Sequence, residues 1–330
     1  MTAPRAEFHY GKAAVSTYRT HATPLVGLTP IPESDFTGRP NVLLAAEIDV
    51  QVMGESFLAA YTEGDNSNVV ATDTMKNFIH RQSLAFGGCT LEGWLFFLGQ
   101  RFLETYPQME RLRVSGIEVP FEAARVPRDA RTQDDDGGNG GDGDGDGDQA
   151  AGFGRSTVLF HRREDDRSIA SVELDRDGDR VVLGDLRSGR TGLQLIKVTG
   201  SSFVSFPRDE FTTLPERRDR PLFIHLDVAW RYTDPSVAIE PVPAQYVAAE
   251  QVRDVAAGVF HQFVSLSIQH LIHEIGQRML DRWPQLSEVS FEAQNRLWDT
   301  AEVSEANDMV RVYTDPRPPY GRIGLTLRRE

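Results

Sequence analysis

A threonine and an aspartate stand side by side where a helix is predicted to begin. Thr72 and Asp73 open the run "TDTMKNFIHRQSLAF", whose apolar spacing predicts a helix. Their side-chain oxygens can accept the free N–H groups of a first helical turn, so both are good N-cap residues. A helix start also stabilises a bound anion through those N–H groups and the helix dipole. Capping and ligand binding therefore both stay open for this pair.

A lysine in a predicted strand is a candidate base. Lys12 lies in "YGKAAV", directly after a glycine. A lysine in a strand is usually a solvated edge residue. A desolvated lysine, in contrast, has a lowered pKa and can accept a proton near neutral pH. The residue types alone leave both roles open.

Two further polar residues lie at the ends of predicted strands. In "VSFEAQNRL" the alternation places Asn295 on the same face as Val289, Phe291 and Ala293. Burying an unpaired amide costs about 1 to 3 kcal/mol, so Asn295 is either a satisfied structural group or a ligand contact. Arg220 precedes the predicted strand "PLFIHLDVAWRY", where a lone arginine is normally exposed. Spacing alone assigns neither residue a role.

Two patterns resemble the start of a metal site, and both are broken. His273 and Glu274 begin like a zincin motif, but Gln277 stands where the second histidine belongs. The run "DGDGDG" from residue 142 begins like a calcium loop, whose twelfth position here is Phe153 instead of a glutamate. We therefore predict no metal site. The sequence also lacks a phosphate-binding glycine loop, a nucleophile elbow and a dinucleotide fingerprint, so no cofactor is expected.

The elements that must position these residues are strands and amphipathic helices. Before residue 133 the chain reads as strands, two helices and a strand, and after residue 149 as strands, helices across 245–284 and further strands. Segregated strands and helices predict an α+β fold with antiparallel sheets. Two sequential halves of one pattern indicate an internal duplication. In the late helical stretch, Ile268 lies on the apolar stripe and is most simply a core residue.

The composition limits the class of protein. The chain has 330 residues, of which 40% are hydrophobic, enough for a core and for roughly two domains. A formal charge of −14 disfavours binding to nucleic acid or to an anionic membrane, because both need a positive face. No stretch approaches the roughly 20 apolar residues of a membrane span. With Cys89 as the one cysteine, no intramolecular disulfide can form, and a cytoplasmic location is expected.

The strongest break in composition is the segment 133–149, "QDDDGGNGGDGDGDGDQ". It has no apolar side chain and is dense in glycine and aspartate, so we expect a disordered, solvated loop. The predicted organisation is a first domain at 1–132, an acidic loop at 133–150 and a second domain at 151–330.

Several long stretches together resemble the urate oxidase family. "YTEGDNSNVVATDTMKN" looks like that family's first-half signature, and "TGSSFVSFPRDEFTTLPERRDR" followed by "VAWRY" looks like its second-half signature. "YGK", "SIQ", "SFEAQN" and "PPYGRIGLTL" are similar to the family in the same order. The resemblance covers nearly the whole chain apart from the acidic loop. It implies oxidation of urate by dioxygen and water to 5-hydroxyisourate and hydrogen peroxide, without a metal or other cofactor.

The resemblance also implies a fold and an assembly. It implies tandem tunnelling-fold (T-fold) domains, which are antiparallel sheets with paired helices, in a homotetramer around a barrel-like tunnel with active sites at subunit interfaces. Phe203 would stack on the purine, Arg220 and Gln269 would grip its edges, and the backbone of Ile268 would add a hydrogen bond.

The remaining site residues follow from the same resemblance. Thr72 and Asp73 of a neighbouring subunit would meet the opposite edge of the purine. Asn295 would hold dioxygen, and later water, above the ring. Lys12 and Thr72 would form the proton relay.

One position departs from the family. The family carries a histidine two residues after the asparagine, whereas this chain reads Asn295-Arg296-Leu297, and a leucine cannot pass a proton. One interpretation is that Lys12 and Thr72 suffice, with ordered water in place of the imidazole or with Lys12 made a better base by its apolar neighbour. The alternative is a divergent homologue that binds urate or another oxidised purine with weak or no turnover. A pterin-type T-fold cyclohydrolase or aldolase is disfavoured, because no His/Cys cluster for zinc is evident.

Overall fold

The computed structural model describes residues 7–129, 131–133, 152–164 and 166–329. The strands within these residues are β1 His9–Thr20, β2 Leu43–Met53, β3 Arg111–Glu118, β4 Phe121–Pro127, β5 Thr132–Gln133, β6 Phe153–Arg162, β7 Arg167–Asp177, β8 Arg180–Lys197, β9 Leu222–Tyr232, β10 Leu286–Asn295, β11 Asp299–Val303, β12 Arg311–Thr314 and β13 Gly321–Arg328. The α-helices are α1 Leu58–Thr62, α2 Thr72–Ser83, α3 Leu91–Thr105, α4 Ser236–Ile239, α5 Ala249–Gln262 and α6 Ile268–Arg282.

One antiparallel sheet of eight strands runs through the molecule. Its order is β1-β2-β3-β7-β8-β9-β10-β13, and every neighbouring pair is antiparallel. In β2, Ile48, Val50 and Val52 are buried, whereas the alternating Glu47 and Asp49 are partly exposed. This period of two assigns one face of the sheet to the core and the other to solvent. The α+β prediction is confirmed.

Two pairs of helices cover the apolar face of the sheet. α2 and α3 pack on strands of the first half, and α5 and α6 pack on strands of the second half. A glycine in each inner helix permits close approach to the sheet: a Cβ on Gly99 would lie 2.4 Å from Leu174 Cδ1, and one on Gly276 would lie 2.6 Å from Leu327 Cδ1. The core therefore lies between this helical layer and the sheet. None of the helices in the described part of the chain is long and apolar enough to cross a membrane.

The order of elements repeats along the chain. The first set is β1, β2, α2, α3, β3 and β7, and the second is β8, β9, α5, α6, β10 and β13. The sheet is continuous across the junction, because β7 and β8 form a hairpin closed by the pair Asp177 and Arg180. β7 follows residue 151 in sequence yet completes the first set of strands. The predicted domain boundaries at 132 and 151 remain predictions.

The acidic segment lies outside the described residues, except for residue 133 in β5. The expected disordered loop at 133–150 and the calcium-like run from residue 142 therefore concern residues that the structure does not describe, apart from Phe153 at the start of β6.

Two elements differ from the sequence-based expectation. The single strand expected between the first two helices and residue 133 is two strands, β3 and β4, separated at Pro120, which has no N–H to donate to a ladder. The helices expected across 245–284 are present as α5 and α6, and Ser267 caps α6 by accepting the N–H of His270. The β11–β12 hairpin gave no signal, since almost all of its side chains are exposed and do not alternate in burial.

Candidate active site

A loop network brings together Phe203, Arg220 and the start of α6. Ser201 forms an isolated bridge with Ser265, and Phe203 forms one with Arg217. The Arg220 N–H donates to the carbonyl of Ser201 at 2.9 Å. Since Ser265 lies just before α6, this network ties both predicted substrate contacts to that helix start.

The ring of Phe203 lies beside a guanidinium. Arg220 Cζ is 5.5 Å from the ring centroid of Phe203. Phe206 stacks on Phe203 with centroids 4.9 Å apart and an interplanar angle of 16°. A flat aromatic face next to a planar cation suits a flat anion, which can stack on one and accept two hydrogen bonds from the other.

Arg220 carries a charge that no carboxylate of the described residues neutralises. Its Nε is buried and has no hydrogen-bond partner. Burial lowers the pKa of Arg220, and the nearby charge of Arg217 adds to that effect. A half-buried cation without a counter-ion is unfavourable unless a ligand supplies the opposite charge. The surroundings of Arg220 therefore suit an anion.

Asp219 holds the loop on which these residues lie. Its carboxylate accepts hydrogen bonds from the Thr199 hydroxyl and the Gly200 N–H, both at 2.7 Å. The bond from Thr199, with smaller help from backbone N–H groups, lowers the pKa of Asp219. Sequence reasoning did not single out this residue. Its position directly before Arg220, within the second-half signature, is the signal that could have found it.

The start of α6 carries Gln269 next to the loop network of Phe203 and Arg220. The Ser267 hydroxyl accepts the N–H of His270 at 3.1 Å and so fixes the first turn. Ile268 is buried in the core, as predicted, and Gln269 is exposed. The backbone N–H groups of this first turn have no intrahelical partner and can face a ligand.

Asn295 ends β10 close to this network. It pairs with Ile224 of β9 and Gly321 of β13, and β9 begins two residues after Arg220. Its Oδ1 atom is buried without a hydrogen-bond partner, which favours the ligand interpretation over the structural one. Leu297, two residues further on, packs partly buried against the hydrophobic core.

A β-bulge positions Lys12. The register of β1 with β2 shifts between Lys12 and Val15. Within the bulge, Ala14 has a φ of 53°, and its N–H donates to Asp49 Oδ1 at 2.6 Å. Bulges often re-aim a side chain next to an active site. Lys12 is half-buried, which lies between the solvated and the desolvated lysine that the sequence left open.

The capping interpretation of Thr72 and Asp73 is wrong. The N-cap of α2 is Ala71, and no side chain caps that end. The Asp73 carboxylate instead accepts hydrogen bonds from Lys76 Nζ at 2.6 Å and Asn77 Nδ2 at 3.1 Å. The first N–H groups of this helix therefore remain available to a ligand.

Two lysines act on the Asp73 carboxylate. Lys76, by its hydrogen bond and its charge, lowers the pKa of Asp73, and Lys12 adds a smaller effect of the same sign. Tyr10, which the sequence did not mark, links the two elements: its hydroxyl accepts the Val70 N–H at 3.1 Å and ties β1 to the segment before α2. Lys12 and the start of α2 thus form one group.

The predicted site residues fall into two groups. The lysine group contains Lys12, Thr72 and Asp73. The arginine group contains Phe203, Arg220, Ile268, Gln269 and Asn295. Followed from strand to strand, the antiparallel register places Lys12 near one edge of the sheet and Asn295 at the other. A ten-residue strand spans about 33 Å, and the six strand spacings between β1 and β10 add about 29 Å across the sheet. The two groups do not meet within one chain.

The broken zincin pattern forms only a local contact on α6. His273 Nδ1 lies 3.3 Å from Glu274 Oε1, and His270 Nε2 lies 3.8 Å from the same atom. Across residues 7–129, 131–133, 152–164 and 166–329, no three His, Cys, Asp or Glu side chains are grouped so that they could hold a metal ion.

The fold and the arginine group define an α+β protein with a site suited to a flat organic anion. The sequence model of the family described as Uricase matches residues 46–142 and 186–324. This chain belongs to the uricase family.

Named relatives and solved structures agree with this membership. The uricase of Haloferax volcanii is 46% identical over 313 residues, which is 95% of each chain. The uric acid degradation bifunctional protein PucL of Bacillus subtilis is 42% identical over 321 residues, so that 97% of this chain spans only 61% of that protein. The crystal structure of a uricase from Bacillus fastidious has a TM-score of 0.89 and 41% identity, covering 99% of this chain and 94% of that chain. These names do not support the alternative of a homologue without turnover.

Proposed function

We propose that this protein is a urate oxidase, which converts urate, dioxygen and water into 5-hydroxyisourate and hydrogen peroxide without a cofactor. The observation that carries the proposal is the guanidinium of Arg220, which is half-buried, unpaired with any carboxylate of the described residues and set beside the ring of Phe203. Membership of the uricase family supports urate as the anion.

The arginine group would bind the purine. Urate is a planar anion, so its ring would stack on Phe203 while Arg220 donates two parallel hydrogen bonds to one edge. Gln269, exposed at the start of α6, would bind through its side-chain amide. The backbone of Ile268 would add a hydrogen bond from the same helix start.

The lysine group would carry out the proton transfers. Loss of a further proton turns urate into an electron-rich dianion, which can give two electrons to dioxygen directly. Oxygen would add at C5 as a peroxide, water would then replace it there, and hydrogen peroxide would leave with 5-hydroxyisourate as the product. Lys12 and Thr72 would accept and return the protons, while Asn295 holds dioxygen and then water.

We extend the proposal to the assembly. Each half of the chain has two strands, two helices and two strands around an antiparallel sheet, which supports tandem T-fold units. The face of the sheet away from the helices forms a cleft of about 880 Å³ with charged residues such as Glu47, Arg187 and Asp227 in its lining. That face would form the inner wall of a barrel-like tunnel in a homotetramer. The limits of 1–132 and 151–330 divide the chain by composition, whereas the first unit proposed here also takes β7, Arg167–Asp177, from beyond residue 151. A cytoplasmic location remains part of this proposal.

A complete site would need two subunits. The lysine group and the arginine group lie at opposite edges of one sheet, so a neighbouring chain must bring the missing group. Exposed apolar side chains flank both groups, namely Leu58 and Tyr61 in α1 and Val264 and Leu266 just before α6. Apolar surface beside each incomplete site suits burial between subunits.

Oxygen consumption by metal-stripped protein supplied with urate tests the proposed activity. We expect oxygen uptake to match the loss of urate's ultraviolet absorption, with an equal amount of hydrogen peroxide and no effect of chelators. Urate binding without oxygen uptake, or uptake that depends on added metal, would contradict the proposal.

A further inference from the structure

Single hydrogen bonds in the first half of the chain recur at equivalent positions in the second half. In the bulge of β1, the Ala14 N–H donates to Asp49 at 2.6 Å, and in the bulge of β8 the Gly192 N–H donates to Asp227 at 2.8 Å. Both the donor and the acceptor recur after 178 positions (192 − 14 and 227 − 49). Residues of the two halves can therefore be matched one to one.

The helices follow the same repeat. Arg19 donates to the carbonyl of Ser83 at the end of α2, and Lys197 donates to the carbonyl of Phe260 near the end of α5 at 3.0 Å. The two basic residues are again 178 positions apart, and the two acceptors are 177 apart (197 − 19 and 260 − 83). The helix starts, Thr72 in α2 and Ala249 in α5, are also 177 apart (249 − 72).

One arginine joins the two halves inside the chain. Arg39 forms a backbone bridge with Leu25. Its Nη1 lies 2.6 Å from Glu118 Oε1, at the end of β3, and 3.2 Å from Glu250 Oε1, in the first turn of α5. We call these two ion pairs the seam. The seam holds the helix start of the second half against a loop of the first half.

The repeat gives two partners in the seam, Arg39 and Glu250, an equivalent elsewhere. Arg217 lies 178 positions after Arg39 and forms the corresponding backbone bridge, with Phe203 as its partner. Asp73 is the second residue of α2, as Glu250 is the second residue of α5. The equivalents therefore belong to the arginine group's loop and to the lysine group.

Arg217 and Asp73 do not form an ion pair with each other within the chain, unlike Arg39 and Glu250. Arg217 is exposed and forms no ion pair with any residue that the structure describes. Asp73 is 72% exposed even though Lys76 pairs with it. The loop and the helix start lie at opposite edges of the sheet, so Arg217 and Asp73 of one chain cannot meet.

We propose that Arg217 forms an ion pair with Asp73 of the partner subunit, repeating across the subunit interface the contact that Arg39 makes with Glu250 inside the chain. This inference rests on the proposed site between two subunits. The pair holds the start of α2, and with it the partner subunit's Thr72, against the bound purine. Arg217 is thus a positioning residue that acts through Asp73 without touching urate.

Kinetics of an Arg217→Gln variant test this role, with Arg217→Lys as the conservative variant and Arg218→Gln as the matched control. Arg218 is the exposed neighbouring arginine and likewise has no ion pair among the described residues. We expect kcat/KM for urate to fall about fivefold in Arg217→Gln, as for loss of an interfacial charge pair. Arg217→Lys should recover most of the loss, and Arg218→Gln should match wild type.

Added salt should lower the kcat/KM of the wild type towards that of Arg217→Gln. The kcat/KM of Arg217→Gln should depend less on salt concentration, because that variant lacks the ion pair. Equal values for the Arg217→Gln and Arg218→Gln variants would overturn the inference.

A crosslink tests the contact separately from turnover. Chains carrying Arg217→Cys and chains carrying Asp73→Cys are co-expressed and treated with a short bismaleimide; native Cys89 is buried and does not compete. We expect crosslinked dimers from this mixture and none when Asp177→Cys, in the distant β7–β8 turn, replaces Arg217→Cys. Absence of the crosslink in protein whose wild type oxidises urate would overturn the ion pair and leave the proposed function standing. A wild type that fails to oxidise urate would instead overturn the function, whatever the crosslink shows.

Discussion

At the scale of single residues, the candidate site contains polar atoms that lack hydrogen-bond partners. Arg220 Nε and Asn295 Oδ1 are both buried and unpaired. A buried polar atom without a partner costs about 1 to 3 kcal/mol, and the proposed ligands, urate at Arg220 and dioxygen or water at Asn295, would offset that cost. Their residue types were visible in the sequence. Their burial was not, because it depends on strands and loops that are distant along the chain.

Leu297 gives a prediction at this scale. We expect Leu297→His to change kcat for urate by less than about tenfold, because Lys12 and Thr72 complete the proton path in the proposed mechanism, and a missing general base would account for about 10² to 10⁴ in rate. Oxygen uptake at saturating urate is the measurement. Leu297→Met, which keeps an apolar side chain against the core, controls for packing. A hundredfold rise in the histidine variant would show that the relay lacks a member.

At the scale of elements, the bulge of β1 begins directly after Lys12. Its geometry depends on one hydrogen bond from Ala14, which has a positive φ that non-glycine residues rarely adopt, to the carboxylate of Asp49. Removing that acceptor leaves the strand paired but releases the bulge.

We predict that Asp49→Ala lowers kcat by about tenfold or more, because small displacements of a catalytic group cost up to about a hundredfold in rate. Asp227→Ala is the matched control, since it releases the equivalent bulge in β8, far from Lys12. Steady-state kinetics, with circular dichroism as a check on folding, make the comparison. Equal losses in both variants would mean that the β1 bulge has no special role in turnover.

Alternation and helical spacing predicted the main strands and helices, because burial on one face follows directly from the residue pattern. The same pattern could not predict the bulges, since Ala14 and Asp49 are 35 positions apart and only pairing of β1 with β2 brings them together. The capping prediction failed because it needed contacts that the pattern does not show. Lys76 and Asn77 donate to the Asp73 carboxylate in place of the helix N–H groups, and the N-cap of α2 is Ala71.

At the scale of the whole molecule, the first half of the chain has a buried counterpart of the candidate site. Its polar groups bind one another. Glu92 is the second residue of α3, as Gln269 is of α6. Its buried carboxyl accepts hydrogen bonds from Ser188 at 2.6 Å and Tyr246 at 3.1 Å. The place that Gln269 would use to bind urate in the proposed site is thus occupied, in the first half of the chain, by a carboxyl that the chain's own groups bind.

Glu92 predicts a pH dependence of stability. Burial raises the pKa of Glu92 above its ordinary value of 4.5, although these hydrogen bonds oppose the effect. Its contribution to the free energy of unfolding is therefore full below pH 4.5 and is lost as pH rises through the raised pKa. Glu92→Gln mimics the protonated acid, so we expect it to melt at a higher temperature than wild type at pH 8 but not near pH 4.

Glu118→Gln is the control for that comparison, because it weakens an ion pair of the seam instead of removing a buried charge. We expect it to lower stability by about 1 to 3 kcal/mol at pH 8. A melting temperature of Glu92→Gln below that of wild type at pH 8 would contradict the assignment of a raised pKa.

The central claim is that urate is oxidised at sites completed by two subunits, and complementation between inactive variants tests it most directly. Lys12→Met removes the proposed base of the lysine group, and Arg220→Ala removes the cation of the arginine group, so each variant alone should be inactive. Co-expressed in equal amounts, they should regain about a quarter of wild-type oxygen uptake with urate, because random pairing leaves that share of sites with both groups intact. A mixture as inactive as its two components, from subunits shown to have assembled together, would contradict the account.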